Sequence, residues 1–437
     1  MRRPFTRALV VGLGVLTFAS AQSAWPHLVF AAGRTGAVRL DGRSFADEQG
    51  PFLALGATLF WALWGERHDP DRLDGNLAWL AARGVDYVRL LGMIGGTSWE
   101  DREIDPDADD YWTIVDRLMD RLARHGLRAQ VTLFAEADAM MPDAARRREF
   151  ALAWADRARK DPERIILLEV ANEHWQNGLA DIGELRDLGR RMGNRTDTLI
   201  ALSAPLDDRI CDVYEGSAAD IVTIHYSRSS KGWEAVEEPW EWPDENVPCE
   251  RTLPVRVNNE PIGPQSSVEA DDDPSRLVMS YVTTFMAGNA AYVLHAGAGV
   301  RGGGAADRAL GRAADFDDTP GLDVALEGMS RAREYLPEDL ASWTRIEVSD
   351  KALPVRGLDR AVREGAAGAV YAVTSGNRFV IAILDARRPI SMTVEKLAAI
   401  DVYEAISGEH RINRTFPAGE TVRVDDAEAF VVTGRLR

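Results

Sequence analysis

Apolar residues along this chain fall into short continuous runs separated by longer stretches in which they recur every three or four positions. Runs at 52–58, 87–91, 128–134, 165–170, 198–203, 221–225, 255–258 and 291–295 read as eight strands. Continuous rather than alternating hydrophobicity is what a strand buried on both faces requires. Between them, 71–83 sets Leu73, Leu77, Leu80 and Ala81 on one helical face. The segment 112–125 does the same with Ile114, Leu118, Met119 and Leu122, and Gly126 is placed to stop it. Segments 143–159, 181–192, 274–286 and 321–335 are further helices by this criterion. Eight strands alternating with helices predict an α/β fold, a closed (β/α)8 TIM barrel; an open doubly wound sheet is the alternative.

The pattern changes near Trp343. Short strand-like runs at 369–373, 379–384, 400–404 and 429–432 are split by turn signals such as Ser375-Gly376-Asn377 and Ala418-Gly419-Glu420. They predict a small C-terminal β-sandwich over 344–437 behind a barrel over 34–343, with 37–43 expected to add a strand to the sandwich. The length of 437 residues accommodates one barrel and one smaller domain.

Composition narrows the setting. Arg2, Arg3 and Arg7 precede an apolar run at 8–18, and Ala19-Ser20-Ala21 and Ala24 offer small-residue cleavage positions. This is the pattern of a signal peptide over 1–24, so a secreted or periplasmic protein is expected, with an uncleaved anchor as the alternative. The apolar run is short for a membrane span, and no other contact with a membrane is expected. A net charge of −18 repels phosphate backbones, which makes nucleic acid a poor partner and a neutral ligand an easier one. Cys211 and Cys249 are the two cysteines; export permits a disulfide between them, and two buried thiols are the other possibility.

In a barrel, reactive groups sit where strands end. The fourth strand runs into Asn172-Glu173-His174-Trp175, and the seventh into Asn258-Asn259-Glu260-Pro261. Both put a carboxylate at the rim, on opposite sides of a narrow mouth. Glycosidic cleavage needs such a pair, one carboxyl protonated to release the leaving oxygen and one ionised to attack carbon or activate water.

The motif Glu-x-x-Asn-Glu at the end of strand four, with a second Glu closing strand seven, resembles the clan of retaining glycosidases with (β/α)8 barrels that includes cellulase-, mannanase- and xylosidase-like families. The resemblance spans about residues 50–340. It implies a hydrolase of β-glycosidic bonds with Glu173 as acid/base, Glu260 as nucleophile and an oligo- or polysaccharide as substrate. It further implies that Asn172 contacts the sugar 2-hydroxyl and that Arg89, on strand two, sits beside the nucleophile and keeps it ionised. Glu169, four residues below the rim, is the other charge that Arg89 could neutralise. His225 and Tyr226 end strand six, where the clan places a His and a Tyr near the nucleophile. Many members space these as His-x-Tyr; here they are adjacent, with Ser227 in the expected Tyr place, so only one of the two is expected to face inward. Strand eight ends in His295 where many members have Trp, so either His295 meets substrate or an aromatic arrives from another loop.

Aromatics cluster at the predicted rim: Phe60, Trp61 and Trp64 after strand one, Trp99 after strand two, Trp175 after strand four, and Trp233, Trp240 and Trp242 in a long acidic segment after strand six. Trp61 and Trp175 are taken as sugar-stacking candidates. The segment 227–249 shows no clear helix and is expected to wall the cleft as a loop. Gly297-Ala298-Gly299-Val300-Arg301-Gly302 has dinucleotide-fingerprint spacing without a surrounding βαβ unit, and reads as a tight turn. No cofactor is expected. The seven histidines show no metal-ligand spacing, so no metal is expected, and no serine-hydrolase elbow occurs. A carbohydrate-binding barrel without turnover and a transglycosidase are the rival readings.

Overall fold

Parallel pairing joins all eight apolar runs into one closed ring. The strands are Ala54–Thr58, Tyr87–Leu91, Arg128–Phe134, Ile165–Ala171, Leu199–Ala201, Ile221–His225, Val255–Asn258 and Asn289–Leu294. Ala291 pairs with Ala54 to close the circle, so the sheet has no free edge. The structure is a computed structural model that describes residues 33–437 except 97–98, 206, 208, 227–229, 243–248, 250–251 and 267–269. The signal-peptide segment and Ser227 lie outside the described residues.

Alternation decides what each strand offers to the axis. Tyr87 lies beside Gly56 across the strand pair, and a Cβ on Gly56 would come within 2.5 Å of the Tyr87 ring. Above this layer stand polar residues at the same spacing of two, among them Arg89, Thr132 and Glu169, all with no exposure. Charge is thus buried at two levels: Arg89 and Glu169 toward the C-terminal ends of the strands, and at the base Arg128, in register with Tyr87 and paired with Asp47.

The strand expected at 37–43 does not join the sandwich. Arg39–Asp41, Ser44–Asp47 and Gly50–Phe52 form a three-stranded antiparallel sheet of their own. Gly42, at φ +60, turns the chain back at once, and Val38, Phe45 and Phe52 cover the barrel's lower mouth with Tyr87, Ile166 and Leu199. The first barrel strand accordingly starts at Ala54, not at 52.

Two further expectations are corrected at the rim. The segment after strand six contains a helix, Trp233–Glu241, despite Pro239 inside it. Buried Ala235, Val236 and Pro239 supply its inner face. The glycine-rich stretch after strand eight is a short helix, Gly297–Arg301, stopped by Gly302 in the left-handed region. Cys211 and Cys249 are joined by a disulfide.

The C-terminal domain packs a six-stranded antiparallel sheet against a three-stranded one. Both faces of the larger sheet are covered. On Arg378–Leu384, Phe379, Ile381 and Ile383 face the sandwich core, and Val380, Ala382 and Leu384 join the barrel cluster. This sheet packs on the helix Pro274–Met286, every residue of which from Ser275 to Met286 except Arg276 is buried. That helix is covered on two sides, which is why it lacks the polar face of its neighbours.

Candidate active site

The cleft chemistry begins with a buried cation. Arg89, on the second strand, has no solvent exposure, so its charge must be balanced by partners in place. Its guanidinium donates from Nη1 to Glu260 Oε1 at 2.7 Å and from Nη2 to Glu169 Oε2 at 3.1 Å and Asn172 Oδ1 at 2.8 Å. The fork geometry of arginine allows one side chain to hold three partners at fixed angles. Burial works against its charge, yet the Glu169 and Glu260 carboxylates outweigh burial and raise its pKa. Arg89 thus contacts both carboxyl groups that the sequence offered it, Glu260 at the rim and Glu169 in the interior.

Glu169 is secured from below. Thr132 Oγ1 donates to it, and Asn259 Nδ2 donates to its two oxygens at 3.0 and 3.2 Å. Asn259 is in turn oriented by Gln130, whose Nε2 donates to Asn259 Oδ1 at 2.8 Å. Thr132, Asn259 and Gln130 were not singled out in the sequence. For Gln130 and Thr132 the signal was there, polar residues at every second position of an otherwise apolar strand; Asn259, just past the end of Val255–Asn258, follows Val255 and Val257 at that spacing and carries no such signal.

Glu173 and Glu260 meet above this layer. His225 Nδ1 lies 3.4 Å from Glu173 Oε1 and 3.4 Å from Glu260 Oε2. The three ligand-type atoms of Glu173, His225 and Glu260 all fall within 4.8 Å of one another. Burial would depress the His225 pKa, but the charge of Glu260 and hydrogen bonds to both carboxylates raise it to about 9. This trio is also where a cation could be held. A divalent ion there would have to displace the His225 proton and sit close to the Arg89 charge, which disfavours it.

Backbone geometry explains how adjacent residues both reach the site. Asn172 still continues the fourth strand, its N–H bonded to Phe134 O at 2.8 Å. In an extended chain Glu173 would then point away from the axis. Instead Glu173 adopts φ +40, which turns its side chain back to the mouth. A non-glycine residue held there stores about 1–3 kcal/mol of strain. Gln176, a turn later, donates from Nε2 to Glu173 Oε2 at 2.5 Å and is a further residue the sequence did not single out.

The remaining sequence candidates separate. Of the adjacent pair on strand six, His225 faces the carboxylates and Tyr226 does not; the Tyr226 hydroxyl donates to Asn289 Oδ1 at 3.1 Å. His295 is buried, with Nδ1 3.0 Å from Thr58 Oγ1 and its ring edge-on to Phe60, which in turn lies under the Arg89 guanidinium. Trp61 is fully buried; its Nε1 donates to Ala298 O at 3.0 Å and Arg72 covers its face. It packs loop to loop rather than lining the mouth. Trp175 is half-buried at the rim, edge-on to His225 with ring centroids 6.2 Å apart. Trp240 faces the sandwich, its ring tilted against Tyr371 with centroids 4.6 Å apart and Arg345 over it. A cavity of about 380 Å³ lined by Gly33, Arg34, Arg128 and Arg164 lies at the opposite end of the barrel from the carboxylates.

No protein-family model matches the chain, and no curated protein matches it. Solved structures do. A protein described as a glycoside hydrolase superposes with a TM-score of 0.63 at 13% identity, covering 92% of this chain and 97% of its own. A glycoside hydrolase family 5 protein from Bacteroides vulgatus gives a TM-score of 0.67 at 14% identity, covering 92% of this chain and 93% of its own. At such identities the likeness speaks for the fold, and it extends over both the barrel and the C-terminal domain.

Proposed function

We propose that this protein is an exported retaining glycoside hydrolase that cleaves β-glycosidic bonds of an oligo- or polysaccharide by double displacement. The observation that carries the reading is the facing of Glu173 and Glu260 across one mouth, with an oxygen of each within 4.8 Å. That spacing suits direct attack on carbon and leaves no room for the interposed water that inversion needs.

Charge balance assigns the roles. Arg89 and protonated His225 supply two positive charges to the site, and Glu169, Glu173 and Glu260 are three carboxyls around them. Two cations balance two carboxylates, so one carboxyl can hold a proton. Of these two cations, Glu260 has both Arg89 and His225 beside it, whereas Glu173 has His225. Glu173, whose side chain is 12% exposed, is the one left to carry the proton and the one nearest solvent.

Glu260 then attacks the anomeric carbon while Glu173 gives its proton to the departing oxygen. Glu173, now ionised, takes a proton from water, and the hydroxide equivalent displaces Glu260. Arg89 holds Asn172 Oδ1, which leaves the amide nitrogen of Asn172 as the group able to donate to a sugar hydroxyl. The glycoside hydrolase neighbours in fold are consistent with this chemistry. The Cys211–Cys249 disulfide suits an oxidising compartment, in keeping with export.

The test is covalent trapping. A 2-deoxy-2-fluoro-glycosyl fluoride should label the protein once, on the peptide containing Glu260, and Glu260→Gln should abolish labelling. Labelling of another residue contradicts the assignment.

A further inference from the structure

The conformation of Glu173 does not stand alone. The fifth strand stops at Ala201, and pairing with the sixth strand resumes only at Ala204–Pro205. In the gap Ser203 adopts φ +83, a second non-glycine residue in the left-handed region. Its Oγ accepts the backbone N–H of Glu173 at 3.2 Å. Its own N–H donates to the Tyr214 hydroxyl at 2.7 Å, and the N–H groups of Leu202 and Thr223 reach the same oxygen at 3.2 Å. Tyr214 closes the helix Arg209–Tyr214, which the disulfide at Cys211 ties down.

Ser203 has no solvent exposure and Tyr214 only 2%, so neither is placed to touch a substrate. Two residues in a backbone region that side chains avoid, bonded to each other on neighbouring strands, form one unit that must be held by its surroundings. Tyr214 supplies that hold. The strain serves a purpose, because only a break in the strand turns both Asn172 and Glu173 to the axis.

We infer that Ser203, fixed by Tyr214, is a positioning residue that locks the Glu173 backbone in its left-handed turn and so aims the Glu173 carboxyl at the leaving oxygen. This inference rests on the acid/base role proposed for Glu173.

The test compares Ser203→Gly and Ser203→Ala with Glu173→Ala. Glycine accepts φ +83 without strain, so Ser203→Gly removes the hydroxyl while sparing the fold. Its melting temperature should equal or exceed that of the wild type. Hydrogen exchange at residues 172–174 should be faster, reporting loss of the Glu173 N–H bond. Turnover of the phenyl β-glycoside of a sugar the wild type accepts should fall on the order of tenfold, and that of the 2,4-dinitrophenyl β-glycoside by less than about threefold, because a good leaving group needs little proton donation. Ser203→Ala should show the same split. Unchanged exchange, an unchanged leaving-group dependence, or equal loss on both substrates overturns the inference. If Glu173→Ala shows the leaving-group split and Ser203→Gly does not, the acid/base reading stands and the positioning role falls. If Glu173→Ala loses both substrates equally, the acid/base reading fails and takes the inference with it.

Discussion

Arg89 and Glu260, 171 positions apart in sequence, are joined by a 2.7 Å hydrogen bond at a point where neither has appreciable contact with solvent. The same guanidinium holds Glu169, so two carboxylates depend on one cation. The pairing sets the charge state of the mouth before any substrate arrives.

Removing that cation should be costly. Arg89→Ala leaves Glu169 buried without its counter-charge and Glu260 with His225 as the remaining cation of the two, and should destabilise the protein by about 3–5 kcal/mol, read from urea unfolding. Arg89→Lys keeps the charge but lacks the planar fork, and should recover only part of the loss. A variant as stable as the wild type would show that water or rearrangement replaces the guanidinium.

His225 makes stability depend on pH in a defined direction. Burial works to lower its pKa, and Glu260 and Glu173 together overcome burial and lift it from 6.5 to about 9. A raised pKa means the folded state holds the proton more tightly than the unfolded chain. The resulting stabilisation is complete below the unfolded value of 6.5 and is lost as pH rises through about 9. Melting temperature should therefore drop between those two values more in the wild type than in His225→Gln, by about 3 °C. Parallel curves would contradict a protonated His225.

Two tryptophans that look alike in the sequence should behave oppositely. Trp61→Ala opens a cavity in the core and should cost about 3–5 kcal/mol. Trp175→Ala removes a half-buried rim ring beside His225 and should change stability by less than about 1 kcal/mol while raising KM severalfold. Equal effects on stability would mean that Trp175 is also a packing residue.

What the sequence reveals follows from where burial dominates. Strands 87–91, 128–134, 221–225 and 255–258 coincide with the structure residue for residue, because each keeps one of its two alternating faces wholly apolar, Val88 and Leu90, Ala129, Val131 and Leu133, Val222 and Ile224, and Val255 and Val257. His410–Phe416 is not legible in this way. It is an edge strand with only Phe416 buried, and its arginines and histidine resemble a loop. The helix Trp233–Glu241 is hidden by its acidic residues and Pro239. Glu173, Glu260 and Arg89 are legible because strand ends fix which side chains reach the mouth. The left-handed turns at Glu173 and Ser203 are not, since neither residue is a glycine that would announce them. Hydrophobicity likewise gives Trp61 and Trp175 the same weight, and only the packing of Ala298 and Arg72 around Trp61 separates them.

The stereochemistry of the first-formed sugar tests the proposed double displacement most directly. Proton NMR of a β-glycoside reaction, recorded before the product mutarotates, should show the β-anomer appearing first, as two successive displacements at one carbon require. The α-anomer appearing first would mean that water attacks directly, and that Glu260 is not the nucleophile.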